Sequence, residues 1–226
     1  PNFAGGSFDT PIDKFLSNSG TITVTGDDAY GIRAAGNAGI VEVNNSNSGI
    51  INATGSGSYG IFASTTSNTI NITNDGTITS STGPAIGVRN IDTGITKCVN
   101  NVEICTTTIT NTGLLTGLGT SIQTATIAID PAGEGNAART IVNNSGTITT
   151  QSGSINDYAI AVGSPLDTRV TVNNTGVITG RIEINQNGAE FNNSRGWVSS
   201  GNSKFLGGKN HVTNAQGATM LAVGDT

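Results

Sequence analysis

NSGTITVTG, residues 18–26, is the first member of a series. NSGIINATG (47–55), NDGTITSSTG (74–83), NTGLLTG (111–117), NSGTITT (144–150) and NTGVITG (174–180) follow the same plan: Asn, a small or polar residue, Gly, then alternating apolar and polar positions. Two degenerate copies start at Asn193 (NSRGWVSSG) and Asn214 (NAQGATMLAVG). They set Arg195 and Gln216 where glycine stood, and a distorted turn is expected there. Counted between leading asparagines, the spacings are 29, 27, 37, 33, 30, 19 and 21 residues. Self-similarity at such a period is the mark of a solenoid.

Around this unit the apolar residues fall into columns. Four residues after each leading Asn stand Ile22, Ile51, Ile78, Leu115, Ile148, Ile178, Trp197 and Ala218. Two residues before it stand Leu16, Ile72, Ile109, Val142, Val172, Phe191 and Val212, with Val43 joining them if Asn44 to Ser46 hold a small insertion. A third stretch runs through AYGIRA (29–34), SYGIFA (58–63), PAIGV (84–88), TIAID (126–130) and YAIAV (158–162). Three short strands per turn are implied, each with period-two alternation. One such turn cannot bury its own apolar residues, whereas stacked turns place Ile on Ile and pair each strand above and below. The expectation is an all-β, right-handed, single-stranded parallel β-helix of about eight turns. It would form one domain over 1–226, with loop excursions near 92–107 and 130–139. Helix content should be close to nil. Asn and Gly suit the turn because both tolerate left-handed backbone angles, and stacked Asn amides can bond along the rod.

Composition agrees. The 226 residues include 32 glycines, 35% hydrophobic residues and 11% charged residues, with a net charge of −5. A disordered chain of this polarity would carry more net charge and fewer β-branched residues, so the chain should fold as β-structure. Mild acidity, with neither basic clusters nor basic-aromatic patches, argues against nucleic acid or an anionic membrane surface as the main partner. No apolar run approaches the roughly 20 residues of a membrane-spanning helix. No charged-then-apolar leader opens the chain at Pro1, so any export signal is expected to have been removed.

Catalysis on a β-helix needs carboxylates gathered on one strand face. Asp75 has no acidic counterpart in neighbouring repeats, and Asp27 with Asp28 falls in a loop. Glu183 and Glu190 form the closest late pair and read as solvated surface groups. The single histidine, His211, reads as an exposed strand residue beside Val212, with no nucleophile motif to serve. GGKNH (207–211) lacks the aspartate of a calcium-binding nonapeptide, and one histidine with two cysteines falls short of a zinc site. No cofactor and no metal are expected. The Asn-x-Ser/Thr triplets follow from a repeat written in those residues.

Cys98 and Cys105, with six residues between them, are the only cysteines. An isolated pair at this spacing suits an oxidising compartment and a disulfide that clips a small loop, where metal or redox roles would call for Cys-x-x-Cys. The pair lies in the longest repeat; the next holds the polar excursion DPAGEGNAAR (130–139). Insertions leave a stacked core as loops. These are either where a partner binds or tolerated decoration. If a partner binds there, the clipped loop offers Lys97, Val99, Asn100, Asn101, Val102 and Glu103.

The late segment GAEFNNSRGWVSSGNSKFLGGKNHVTNAQG (188–217) resembles the Phe, Asn-Asn-Ser-Gly-x-Trp, Gly-Gly and Asn turns of type V secretion autotransporter passenger domains, and the NNSGTIT turns are similar too. Gram-negative bacteria export such passengers through their own outer-membrane barrel. The resemblance covers nearly the whole chain and is specific for architecture rather than activity. It implies a secreted or surface-displayed virulence or adhesion protein, an isolated passenger without its barrel. Its partner would be a host-cell surface protein or glycan, and it would not be an enzyme. The alternatives are a carbohydrate-active enzyme on a β-helix and a structural stalk or self-association module.

Overall fold

Short β-branched segments broken by Asn-x-Gly corners can satisfy their backbone only by pairing with their equivalents one turn away. In the computed structural model they do. The structure describes residues 13–36, 39–66, 68–91, 106–130, 139–163, 169–184, 188–200 and 202–223. In chain order the strands are β1 (Lys14–Asn18), β2 (Thr21–Val24), β3 (Tyr30–Ala35), β4 (Val41–Asn45), β5 (Ile50–Ala53), β6 (Tyr59–Thr66), β7 (Ile70–Asn74), β8 (Thr77–Ser80), β9 (Ile86–Ile91), β10 (Thr106–Asn111), β11 (Leu114–Gly117) and β12 (Ile127–Ile129). There follow β13 (Arg139–Asn144), β14 (Thr147–Thr150), β15 (Tyr158–Val162), β16 (Val170–Asn174), β17 (Val177–Thr179), β18 (Arg181–Ile184), β19 (Ala189–Asn193), β20 (Gly196–Ser200), β21 (Lys204–Phe205), β22 (His211–Asn214) and β23 (Thr219–Val223).

Every third strand joins the same sheet, and each pairs in parallel with the strands one repeat before and after. The first sheet runs from β1 to β22 and the second from β2 to β23, with eight described strands each; the third runs from β3 to β21 with seven. This is a parallel β-helix. The one helical segment among the described residues is a three-residue 3-10 turn, Ile122–Thr124.

All three sheets turn one face to a common apolar interior. The second sheet stacks Ile22, Ile51, Ile78, Leu115, Ile148, Ile178 and Trp197 as the repeat predicts. The next member is Met220, not Ala218, because two extra residues follow Asn214 before the strand resumes. The first sheet stacks Leu16, Val43, Ile72, Ile109, Val142, Val172, Phe191 and Val212, with Val212 exposed on the last described strand. The third stacks Ile32, Ile61, Ile86, Ile127, Ile160 and Ile182. Late in the stack, one aromatic from each sheet replaces the aliphatics. Phe191 lies 4.8 Å from Trp197 and 6.0 Å from Phe205, centroid to centroid, and the indole Nε1 donates to Gly180 O at 3.0 Å. These wide rings fill the interior where the repeats shorten to 19 and 21 residues.

The corner between the first two sheets carries a continuous ladder of buried and part-buried amides. Asn18 Nδ2 donates to Asn45 Oδ1, Asn45 to Asn74, Asn74 to Asn111, Asn111 to Asn144, Asn144 to Asn174 and Asn174 to Asn193, each at 2.8 Å, and Asn193 to Asn214 at 2.7 Å. The second rung is Asn45, not Asn47, because Asn45 keeps the inward phase of Val41 and Val43 while Asn47 lies beyond the corner. The extra residues of that repeat thus follow Asn45.

The turn glycines do something other than expected. The described positive-φ residues include none of the ladder asparagines and none of Gly20, Gly49, Gly76, Gly113, Gly146 and Gly176. Close stacking requires them instead. A Cβ on Gly113 would lie 2.0 Å from Gly76 O, and one on Gly146 would lie 2.1 Å from Gly113 O. From Gly49 onward each of these glycines admits the backbone of the turn before it, whereas Gly20, in the first described turn, meets nothing. At Arg195 the strand register passes through the corner unshifted, Trp197 pairing with Ile178, so the expected distortion is confined to the final corner.

Candidate functional site

The expected binding loop, with Lys97, Cys98, Val99, Asn100, Asn101, Val102, Glu103 and Cys105, lies outside the described residues, as do residues 131–138 of the second excursion. Their topological position is nevertheless plain. In chain order they stand between a strand of the third sheet and the next strand of the first, β9 and β10 for one, β12 and β13 for the other.

The strands of the first sheet begin at the corner that follows the third. Thr140 pairs with Val170 and Val170 with Ala189, which aligns the preceding residues Arg139, Arg169 and Gly188 on successive rungs. Glu190 pairs with His211, which brings Lys209 to the next rung of the same column. The column reads Arg139, Arg169, Gly188, Lys209. Backbone bonds fix it: Thr140 N donates to Arg169 O at 2.9 Å, and Ala189 N to Asn210 Oδ1 at 2.8 Å. Asn210 in turn donates to Phe205 O and Gly207 O, pinning the segment that carries Lys209. Gly188, at φ +93°, lets the Lys209 carbonyl approach where a Cβ would come within 2.6 Å of it.

These residues line a groove of about 490 Å³, floored by Thr171 and Ala189 and flanked by Glu190 and His211. Thr171 faces outward yet is only 5% exposed, because Arg139 lies over it, its Nη2 donating to Thr171 Oγ1 at 3.5 Å. Arg139, Arg169, Lys209 and His211 are all exposed. His211 is thus the exposed strand residue expected, in company the sequence reading did not foresee. Nor did that reading find a basic cluster, since the three cations are 30 and 40 residues apart in the chain. A signal exists: Arg139, Arg169, Gly188 and Lys209 each stand five residues before a ladder asparagine.

A second surface lies on the outer face of the third sheet. Tyr30, Tyr59 and Phe62 form a half-buried cluster with centroids 5.4 to 5.5 Å apart, and the Arg33 guanidinium sits 5.5 Å from the Tyr30 ring. Gly87 makes room for it, since a Cβ there would meet Tyr59 at 2.6 Å. Burial, with Tyr30 and the Asp28 carboxylate adding to it, pushes the Tyr59 phenol above its ordinary value. It remains a neutral hydroxyl.

The carboxylates separate. Glu183 is on β18 of the third sheet and Glu190 on β19 of the first, so adjacency in the chain does not make them a pair on one face. Nor is Glu183 a solvated surface group: it is 5% exposed and bridged by Arg181 at 3.3 Å and Lys204 at 3.7 Å. Arg181 also stacks 4.2 Å from the Tyr158 ring centroid. Glu190 is exposed, as expected. Among the described residues no three His, Cys, Asp or Glu side chains gather as a metal would need, and no helix is long and apolar enough to cross a membrane.

No family model matches the chain, and no curated protein or solved structure matches it.

Proposed function

We infer that the protein is a non-catalytic binding protein, displayed on or released from a bacterial surface, whose partner is a host-cell surface molecule. One observation carries this reading. Along the third sheet the inward column is isoleucine on six successive strands, while the outward column beside it runs Arg33, Phe62, Gly87, Ala128, Ala161, Glu183, Lys204. The inward positions repeat and the outward ones do not: Arg33 and Lys204 are exposed and Phe62 half-buried, while Gly87, Ala128, Ala161 and Glu183 are covered, which suits a rigid scaffold whose outer faces differ from place to place. Export and display rest on the resemblance of the NNSGTIT and FNNSRGW turns to autotransporter passengers. The separation of Glu183 from Glu190 supports binding over hydrolysis.

The test is saturable binding of the purified, labelled protein to host-cell membranes, alongside an assay for depolymerisation of uronic polysaccharides. Saturable binding without turnover supports the reading. Turnover that disappears in Glu183→Gln would replace it with a carbohydrate-active enzyme, and absence of saturable binding would leave a stalk.

A further inference from the structure

We propose that the groove at the start of β13, β16, β19 and β22 is a binding site for a linear anionic glycan, a chain carrying sulfate or uronate groups. The inference rests on the binding role above and names a ligand class for it. Its basis is the column Arg139, Arg169, Gly188, Lys209, which places cations on three of four successive rungs and leaves the remaining rung without a side chain. At about 4.8 Å per rung the column spans roughly 14 Å. The glycine rung is a gap between Arg169 and Lys209 in which an anionic group can sit against backbone. Arg139 supplies a further contact one rung on.

The charges suit the ligand. Arginine presents a planar fork that meets the oxygens of carboxylates and sulfates two at a time, and it stays charged at any working pH. Among the described residues Glu190 is the one carboxylate lining the groove, and it turns to Asn192, whose Nδ2 donates to it at 3.2 Å. Among the described residues no carboxylate pairs with Arg139, Arg169 or Lys209. In a chain of net charge −5, such a local excess of cations has no structural role that the fold explains.

Other polyanions fit less well. Single-stranded nucleic acid is held by aromatic stacking platforms beside its basic track, and among the described residues no aromatic side chain lines this groove. An acidic peptide is also met by arginine clusters, but beyond charge it would draw on an open sheet edge or an apolar anchor pocket. The groove lies on a sheet face, and Ala189, the one apolar residue among its described lining, belongs to the core cluster. A sugar chain with charges at regular intervals needs neither.

The experiment measures binding of a fluorescent heparin-derived octasaccharide, a hyaluronan octasaccharide, an oligo-dT and a poly-Glu peptide by polarisation at low salt. The full chain is compared with Arg139→Ser/Arg169→Ser and with the charge-matched control Arg33→Ser/Arg195→Ser, folding being checked by circular dichroism. The expected result is binding of one or both glycans, weakened about tenfold or more by the groove variant and changed less than twofold by the control. Preference for heparin identifies sulfate as the group read; equal binding of hyaluronan identifies carboxylate. Glu190→Gln should tighten binding, an effect no folding defect produces. Failure of both glycans to bind, equal losses in the two double variants, or preference for oligo-dT or poly-Glu overturns the proposal. Host-cell binding separates this from the broader reading. Cell binding that persists without glycan binding removes the groove alone, and glycan binding without cell binding removes the host-surface role alone.

Discussion

Asn74 donates from its side-chain amide to Asn111 Oδ1 at 2.8 Å, across 37 residues of chain. This is the longest repeat, yet the ladder distance equals that between Asn144 and Asn174, 30 residues apart. The buried amide, more than the intervening sequence, sets where each turn closes on the next.

Asn111 is fully buried, accepts from Asn74 and donates to Asn144, Gly113 O and Thr147 O. Asn111→Ala strands a donor on one side and an acceptor on the other, and should cost about 2 to 4 kcal/mol in urea unfolding. Asn111→Asp should cost more, since a carboxylate cannot donate to Asn144 and its charge is buried. Equal stability of Asn111→Asp and wild type would show that the ladder does not hold the corner.

The stacking role of the turn glycines is tested by a contrast at one repeat position. Gly146→Ala places a Cβ 2.1 Å from Gly113 O, whereas Gly20→Ala meets nothing within 4 Å. The first should destabilise by about 2 to 4 kcal/mol and the second by less than about 1 kcal/mol, measured as shifts in thermal midpoint. If backbone angle were the reason for glycine here, the two alanines would behave alike.

The strand phase has a similar test. Ile78 is fully buried in the second sheet, while Ile50, on the strand before it, faces out at 40% exposure. Ile78→Asp should abolish the cooperative transition at room temperature, because an unpaired buried charge costs several kcal/mol. Ile50→Asp should shift it by no more than about 1 kcal/mol. A folded Ile78→Asp protein with native circular dichroism would refute the inward assignment.

For Cys98 and Cys105 the expectation remains a disulfide. Titration of the unreduced, denatured protein should find essentially no free thiol. Two reactive thiols would count against both the clipped loop and an oxidising compartment.

The inward columns were legible because alternation is local: once TIT recurs behind Asn-x-Gly, Ile22, Ile78, Ile148 and Ile178 need no tertiary information to be placed. Legibility failed where a corner gained residues. Asn45 reaches Ile51 in six residues and Asn214 reaches Met220 in six, against four from Asn18 to Ile22, and counting forward from the wrong asparagine or by a fixed step misses both. The groove was hidden for a related reason. Loops of unequal length separate Arg139, Arg169 and Lys209, and only the register measured back from the ladder puts them together. β18 and β21 escaped notice because a single residue separates β18 from β17 and β21 is just two residues long, too short to show alternation.

The amide ladder also has a direction. Every rung from Asn18 to Asn193 donates toward the later turn, so seven side-chain dipoles point the same way, positive end toward Asn214. Formal charge is sorted in the same sense. Residues 1–105 hold eight carboxylates against four cations, and residues 106–226 hold seven against six. The molecule is an electrical needle, its early half the more negative and its late half close to neutral. Near an anionic surface, within about one Debye length, a torque turns the late end inward, so first contact is made end-on and not broadside. Transient electric birefringence should read this as a permanent moment along the long axis, and a purely induced moment would dismiss it.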